Sequence, residues 1–152
     1  MQAYFRFLGG ARRFLAERLT PSEALELARL RLSERMRNRE ENLLVLLERG
    51  VYGNSKSPYL PLLKAARIGL QDIRSRLLSN GIEPTLEWLA NEGVYFTVDE
   101  FKGKRDVKRN GVRFRAHEEQ FDNPFLSAAY EVRSGATRSA GTRVRIDFAY
   151  LR

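Results

Sequence analysis

In the first half of the chain, apolar side chains recur at helical spacing between charged residues. This spacing predicts a long amphipathic helix. Its apolar positions are Leu25, Ala28, Leu32, Met36, Leu43 and Leu47. Thr20-Pro21-Ser22-Glu23 predicts the start, because Thr20 can cap the first turn and Glu23 can reach back to the Thr20 amide. We expect a break near Asn38 and an end at Gly50.

Shorter helical segments are predicted between residues 58 and 103. A turn-forming stretch over 51–59 precedes an apolar-periodic segment that runs from Leu60 to Leu70. Two helices are expected over 72–79 and 84–91, and glycines follow both of them. Thr97-Val98-Asp99-Glu100 repeats the capping pattern and predicts one further helical turn, whereas 94–97 is predicted to be a short strand.

From Val107 onward the apolar period shifts toward two, which is typical of strands. Asn110-Gly111 predicts a β-hairpin. Two further strands are expected over 129–133 and 143–148. The predicted fold class is therefore α/β, with an N-terminal helical region over residues 1–50 followed by an α/β region over 51–152.

A run of small and hydroxyl residues joins the last two predicted strands. It consists of Ser134, Gly135, Ala136, Thr137, Arg138, Ser139, Ala140, Gly141 and Thr142. Glycine and alanine let backbone amides approach an anion, hydroxyls can donate to phosphate oxygens, and arginine adds positive charge. The run predicts a phosphate-binding loop, although it lacks the glycine-lysine spacing of a P-loop and the three glycines of a dinucleotide site. Taken alone, the run favours an ordinary hairpin connection between two strands.

Together with segments upstream, this run resembles the N-terminal part of adenylate-forming (AMP-binding) enzymes of the phenylacetate–CoA ligase and coenzyme F390 synthetase-like group. The family's signature loop is a Ser-Gly-Thr-Thr-Gly-x-Pro-type run after a strand, to which the segments 134–137 and 140–144 are similar. The run departs from that pattern at Ala136 and at Arg138-Ser139. The upstream segments that occur in the family's order are Ser57-Pro58-Tyr59, 62–66, 86–89, 93–95 and 96–103.

The resemblance implies that residues 51–152 are the first part of an adenylate-forming α/β domain, in which the loop binds the phosphates of ATP with Mg²⁺. It implies an ATP-dependent acid–CoA ligase, with a carboxylic acid as substrate and coenzyme A as a co-substrate. The chain is expected to be an N-terminal fragment that is inactive alone, because the family's later motifs have no counterpart in it.

Composition leaves a different class of function open. The 152 residues include no cysteine and one histidine, which excludes a disulfide framework and a multi-histidine metal centre. For the formal charge of +8 a solvated basic surface is favoured, because the arginines are scattered among acidic residues. The alternative is a small basic module that binds nucleic acid or an acidic protein without catalysis. No segment has the length of apolar sequence that a membrane span needs, and a cytoplasmic protein is expected.

Three weaker features each have two interpretations. Glu118-Glu119 with Asp122 is a candidate acid or metal cluster, but a solvated turn is favoured. The strand-like segment 112–115 alternates arginine with apolar residues, which suits either stacking on single-stranded nucleic acid or an amphipathic edge strand. The amphipathic segment over 3–19 is expected to dock on the protein's own core, with weak membrane association as the alternative.

Overall fold

A computed structural model describes residues 2–16, 18–126, 130–133, 135, 141, 143–146 and 148. Within these residues the fold is mixed α/β and mostly helical, which confirms the predicted class at that level. The helices are α1 Gln2–Ala16, α2 Pro21–Arg37, α3 Arg39–Val45, a π-helix Leu46–Tyr52, α4 Tyr59–Ala66, α5 Leu70–Asn80, α6 Ile82–Asn91, α7 Val98–Phe101 and a 3₁₀ turn Glu118–Phe121. The strands are β1 Val107–Arg109, β2 Val112–Phe114, β3 Tyr130–Arg133 and β4 Arg143–Ile146.

The chain divides into two compact units. One unit combines residues 1–32 with 125–152, and the other comprises residues 33–124. The predicted division after residue 50 falls within the second of these units. Each unit has its own antiparallel pair of strands, β3 with β4 in the first and β1 with β2 in the second.

Unit 33–124 is organised around a hydrophobic core. Leu62, Ile73 and Val107 are completely removed from solvent, and aromatic side chains pack around the cluster. Burial of this kind contributes about 1.5–3 kcal/mol for each large apolar side chain. The buried members are Val51, Leu62, Leu63, Ile68, Ile73, Leu89, Val94 and Val107.

The start of α2 follows the predicted capping box. The Thr20 amide donates to the Glu23 carboxylate at 2.8 Å, and the Glu23 amide donates back to Thr20 Oγ1 at 3.3 Å. The helical path breaks at Asn38, also as predicted. The predicted end at Gly50 is wrong, because the π-helix continues to Tyr52. Val51 packs into the core, and the Tyr52 hydroxyl donates to the Ile68 carbonyl at 3.0 Å. These tertiary contacts stabilise the π-helix, whose turn is wider than that of an α-helix.

The predicted strand over 94–97 is also wrong. The Val94 amide donates to the Leu89 carbonyl at 2.8 Å and thereby closes the end of α6. The Tyr95 carbonyl accepts from Arg109 at 2.7 Å instead of pairing with a neighbouring strand. The segment is extended, but its backbone groups serve as a helix cap and an arginine acceptor.

The β1–β2 hairpin forms across Asn110-Gly111, as predicted. Val107 pairs with Phe114 and Arg109 pairs with Val112. Asn110 and Gly111 both have positive φ angles, 51° and 76°, which a tight hairpin turn of this type requires. The Asn110 side-chain amide donates to the Glu92 carbonyl at 2.6 Å and ties the turn to the end of α6.

In the first unit, α1 packs against the β3–β4 hairpin through aromatic rings. Phe7 contacts Tyr130 with ring centroids 5.7 Å apart, and Phe7 and Phe14 contact Phe148 at 5.5 and 5.9 Å. Gly10 lies under the same Phe148 ring, so closely that a Cβ atom there would meet it at 2.5 Å. The glycine therefore permits the close approach of helix and aromatic ring.

Candidate functional site

The predicted phosphate loop connects two strands that pair with each other. β3 ends at Arg133 and β4 begins at Arg143, and these two residues are opposite in the antiparallel register. Of the predicted loop residues, the structure describes Gly135, which is exposed with open space where a Cβ would be, and Gly141. The others lie outside the described residues, and they are Ser134, Ala136, Thr137, Arg138, Ser139, Ala140 and Thr142.

The register gives the hairpin one charged and one apolar face. Residues that alternate along a strand point to opposite faces. The charged face carries two cross-strand pairs, Glu131 with Arg145 and Arg133 with Arg143. Arg143 also donates diagonally to the Glu131 carboxylate at 2.8 Å. The other face carries Tyr130, Val132, Val144 and Ile146, of which Tyr130 contacts Phe148 at 5.5 Å.

Two like charges therefore face each other where the loop leaves the hairpin. Directly opposed like charges destabilise a strand pair, and Glu131 offsets this through its ion pair with Arg143. An anion bound by the loop would offset the same repulsion, because guanidinium groups bind phosphate oxygens in a fixed, often bidentate geometry. The base of the loop thus carries two arginines, of which Arg143 is paired with Glu131.

The acidic cluster forms a single 3₁₀ turn, Glu118–Phe121, that is anchored by its aromatic residue. Phe121 packs on Phe96 and Phe101 with centroid distances of 4.9 and 4.8 Å. The His117 amide donates to Gln120 Oε1 at 2.9 Å and caps the turn. Among the residues that the structure describes, no group of three His, Cys, Asp or Glu side chains is placed to hold a metal ion.

The β2 strand and the residue after it are amphipathic, with Arg113 and Arg115 on the solvent side. Arg113 and Arg115 donate to the two oxygens of Asp106 at 3.0 and 2.8 Å. The hydrogen bonds from Arg115 and then Arg113 lower the pKa of Asp106. Phe114 packs inward on Phe96 at 6.2 Å and is part of the core surroundings. The packing of Phe114 on Phe96 favours the amphipathic-strand interpretation, since the ring is partly buried against the core.

A buried ion pair that the sequence did not predict joins α7 to β1. Glu100, at 5% exposure, bonds to the Arg109 guanidinium. Arg109 also lies over the Tyr95 ring at 3.9 Å from its centroid. The sequence signal identified Glu100 as a helix cap, which it is, but no local pattern connects it with Arg109.

Unit 33–124 also contains cavities that no sequence motif indicates. A cavity of about 420 Å³ has no charged side chain among its lining residues. A second cavity, of about 460 Å³, is bordered by Lys56, Arg113 and Arg115 together with Ser55 and Ser57. Both are assembled from side chains far apart in the sequence, which explains why the sequence pattern missed them.

Comparisons with known protein families, curated proteins and solved structures find no match to this chain. Within the part of the chain that the structure describes, no helix has the length and apolar character needed to cross a membrane. The assignment to adenylate-forming enzymes accordingly stays a prediction from the sequence.

Proposed function

We propose that the segment 134–142 binds the phosphates of ATP, in a protein of the adenylate-forming acid–CoA ligase kind. The observation that carries this proposal is the opposed Arg133–Arg143 pair at the root of the loop. The β3–β4 register sets two arginines opposite each other beside small and hydroxyl residues, so that the segment can offer an anion both positive charge and backbone amides. The sequence resemblance supports the choice of ATP as that anion.

In this proposal the hydroxyls of Ser134, Thr137 and Thr142, with the amides of Gly135 and Gly141, hold the β- and γ-phosphates. A substrate carboxylate attacks the α-phosphorus, which gives an acyl-adenylate and releases pyrophosphate. The thiol of coenzyme A then displaces AMP from the acyl group. Mg²⁺, which binds chiefly through phosphate oxygens and water in such sites, would neutralise the leaving pyrophosphate.

The test is nucleotide binding by the purified chain, measured by calorimetry with Mg·ATP and with AMP. We expect weak binding of Mg·ATP, and weaker binding of AMP because AMP lacks the β- and γ-phosphates. Arg133→Gln should weaken Mg·ATP binding about tenfold, since a charge-assisted hydrogen bond is worth about 1.5–3 kcal/mol.

Arg74→Gln is the matched control, because Arg74 is an exposed arginine on α5 and its loss changes the net charge equally. It should leave Mg·ATP binding unchanged. Equal losses of Mg·ATP affinity in both variants would show that binding depends on net charge alone. That result would overturn the loop assignment. Absence of any Mg·ATP binding would overturn it as well.

A second candidate is a basic module that binds nucleic acid. The observation in its favour is the cavity bordered by Lys56, Arg113 and Arg115, and the two arginine side chains are 69% and 54% exposed. A salt titration with a random-sequence oligonucleotide tests it, because phosphate contacts make affinity fall steeply with salt. Loss of binding in Arg113→Gln but not in Arg133→Gln would favour this function over the ATP site.

A further inference from the structure

Helix α1 has a wide apolar surface, of which only one side is covered. Phe7 and Phe14 lie on the covered side, where they pack on Phe148, and Phe7 also contacts Tyr130. Gly10, between them, allows the close approach described above. The contacts of this side account for the expected docking on the protein's own fold.

The other side of α1 carries large apolar side chains in solvent. Tyr4, Leu8 and Leu15 recur at helical spacing along it, and Phe5 lies beside Tyr4 with their rings 6.4 Å apart. The exposed fractions are 64% for Tyr4, 67% for Phe5, 44% for Leu8 and 73% for Leu15. We call these four residues the exposed α1 stripe.

The charge of α1 is of one sign. The helix contains Arg6, Arg12 and Arg13 and no acidic residue between Gln2 and Ala16. Arg12 is exposed and lies one turn beyond Leu8, on the same side as the stripe. An apolar stripe with aromatic residues and flanking arginines is the pattern of a helix that lies in the headgroup region of an anionic bilayer.

We propose that α1 attaches the protein to anionic lipid surfaces through the exposed α1 stripe. Tyr4, Phe5, Leu8 and Leu15 enter the boundary between headgroups and acyl chains, and Arg12 binds lipid phosphates. Charge complementarity selects this occupant, because a second copy of α1 would bring arginines against arginines.

The experiment is co-sedimentation of the full chain with vesicles. The vesicles contain phosphatidylcholine alone, or phosphatidylcholine and phosphatidylglycerol at about three to one. We expect binding to the anionic vesicles that weakens as salt is raised, and little binding to the neutral ones. Leu15→Gln should reduce the partition constant about tenfold, because it removes an apolar side chain from the helix face that enters the bilayer. Arg12→Gln should reduce binding to anionic vesicles alone.

Matched controls lie on α5. Leu78→Gln changes a leucine of nearly equal exposure, 75% against 73%, and Arg74→Gln changes an exposed arginine. Both should bind vesicles as the unaltered chain does. Because Leu15 is largely exposed, Leu15→Gln should have the same melting temperature as the unaltered chain. Leu8→Gln provides a second test of the exposed α1 stripe.

Three results would overturn the proposal. The first is no sedimentation with anionic vesicles, and the second is equal binding to neutral and anionic vesicles. The third is equal loss in Leu15→Gln and Leu78→Gln. A dimer in analytical ultracentrifugation that Leu15→Gln dissociates, without vesicle binding, would assign the stripe to a second copy of the chain instead.

Discussion

Glu100 combines two interactions at one carboxylate. It accepts the Thr97 amide at 2.8 Å to complete the cap of α7, and it binds the Arg109 guanidinium. Arg109 in turn donates to the Tyr95 carbonyl at 2.7 Å and covers the Tyr95 ring. Burial raises the pKa of Glu100. The hydrogen bonds from Arg109 and Thr97 lower it by more than burial raises it, so that the pKa lies below the ordinary glutamate value.

Replacement of this carboxylate should be costly. We expect Glu100→Gln to lower the free energy of unfolding by about 2 kcal/mol, because it leaves a nearly buried guanidinium without its counter-charge. The lowered pKa means that the carboxylate stabilises the folded state fully above the ordinary glutamate pKa. This stabilisation is lost as the pH falls through the lower pKa of the folded state. Urea unfolding at a series of pH values from neutral to acidic measures both the loss of stability and its pH dependence.

Glu87→Gln is the control, because Glu87 is an exposed glutamate of α6. It should change neither the stability at neutral pH nor its decline in acid. If Glu100→Gln unfolds with the same acid dependence as the unaltered chain, Glu100 does not carry the titration assigned to it.

The connection between α5 and α6 depends on the conformation of one residue. Gly81 has φ 81° and ψ −176°, a combination that residues with a side chain avoid, and nothing lies within 4 Å of the position a Cβ would take. We expect Gly81→Ala to destabilise the protein by about 1–3 kcal/mol through backbone strain alone. Thermal unfolding followed by circular dichroism measures the change.

Gly9→Ala makes the same chemical change inside α1, where the added Cβ also meets open space. Because alanine favours helix over glycine, this variant should stabilise α1 by about 0.5–1 kcal/mol. Opposite signs for the two variants would confirm that backbone conformation decides the effect. A neutral Gly81→Ala would show instead that the turn relaxes to another conformation.

Local sequence patterns predicted the elements whose geometry is set by neighbouring residues. The capping boxes at Thr20 and Thr97 and the hairpin at Asn110-Gly111 formed as expected, because each is held by contacts within a few residues. The two wrong predictions, a helix end at Gly50 and a strand over 94–97, involve contacts that the local sequence pattern does not contain. The helix does not end at Gly50, because Val51 packs in the core. The segment 94–97 is not a strand, because its backbone groups cap α6 and accept from Arg109.

The candidate site was predictable only in part, for the same reason. The sequence indicates strands on both sides of the segment 134–142, and β3 and β4 pair there. It does not indicate the register, which brings Arg133 opposite Arg143 and divides charged from apolar residues. Register depends on which face of a hairpin packs on the rest of the fold, and here the Tyr130 end of the apolar face contacts the rings of Phe7 and Phe148.

At the level of the whole chain, the buried hydrophobic cluster belongs to one unit. Every member, from Val51 to Val107, lies within residues 33–124. We therefore expect a chain of residues 33–124 to fold alone and to unfold cooperatively, since a segment of this size can bury enough apolar surface. Differential scanning calorimetry should give one sharp transition. A broad transition without a heat-capacity peak would mean that the core requires residues outside this range.

Trp88 gives the protein a natural optical label. It is the one tryptophan of the sequence, on α6, and the Arg76 guanidinium lies 4.4 Å from its ring centroid. Light that excites tryptophan selectively should therefore report on unit 33–124 alone. Tyrosines, by contrast, occur in both units, for example Tyr4 in one and Tyr59 in the other. Selective excitation of Trp88 can thus follow unit 33–124 in an unlabelled sample, whereas tyrosine emission reports on both units.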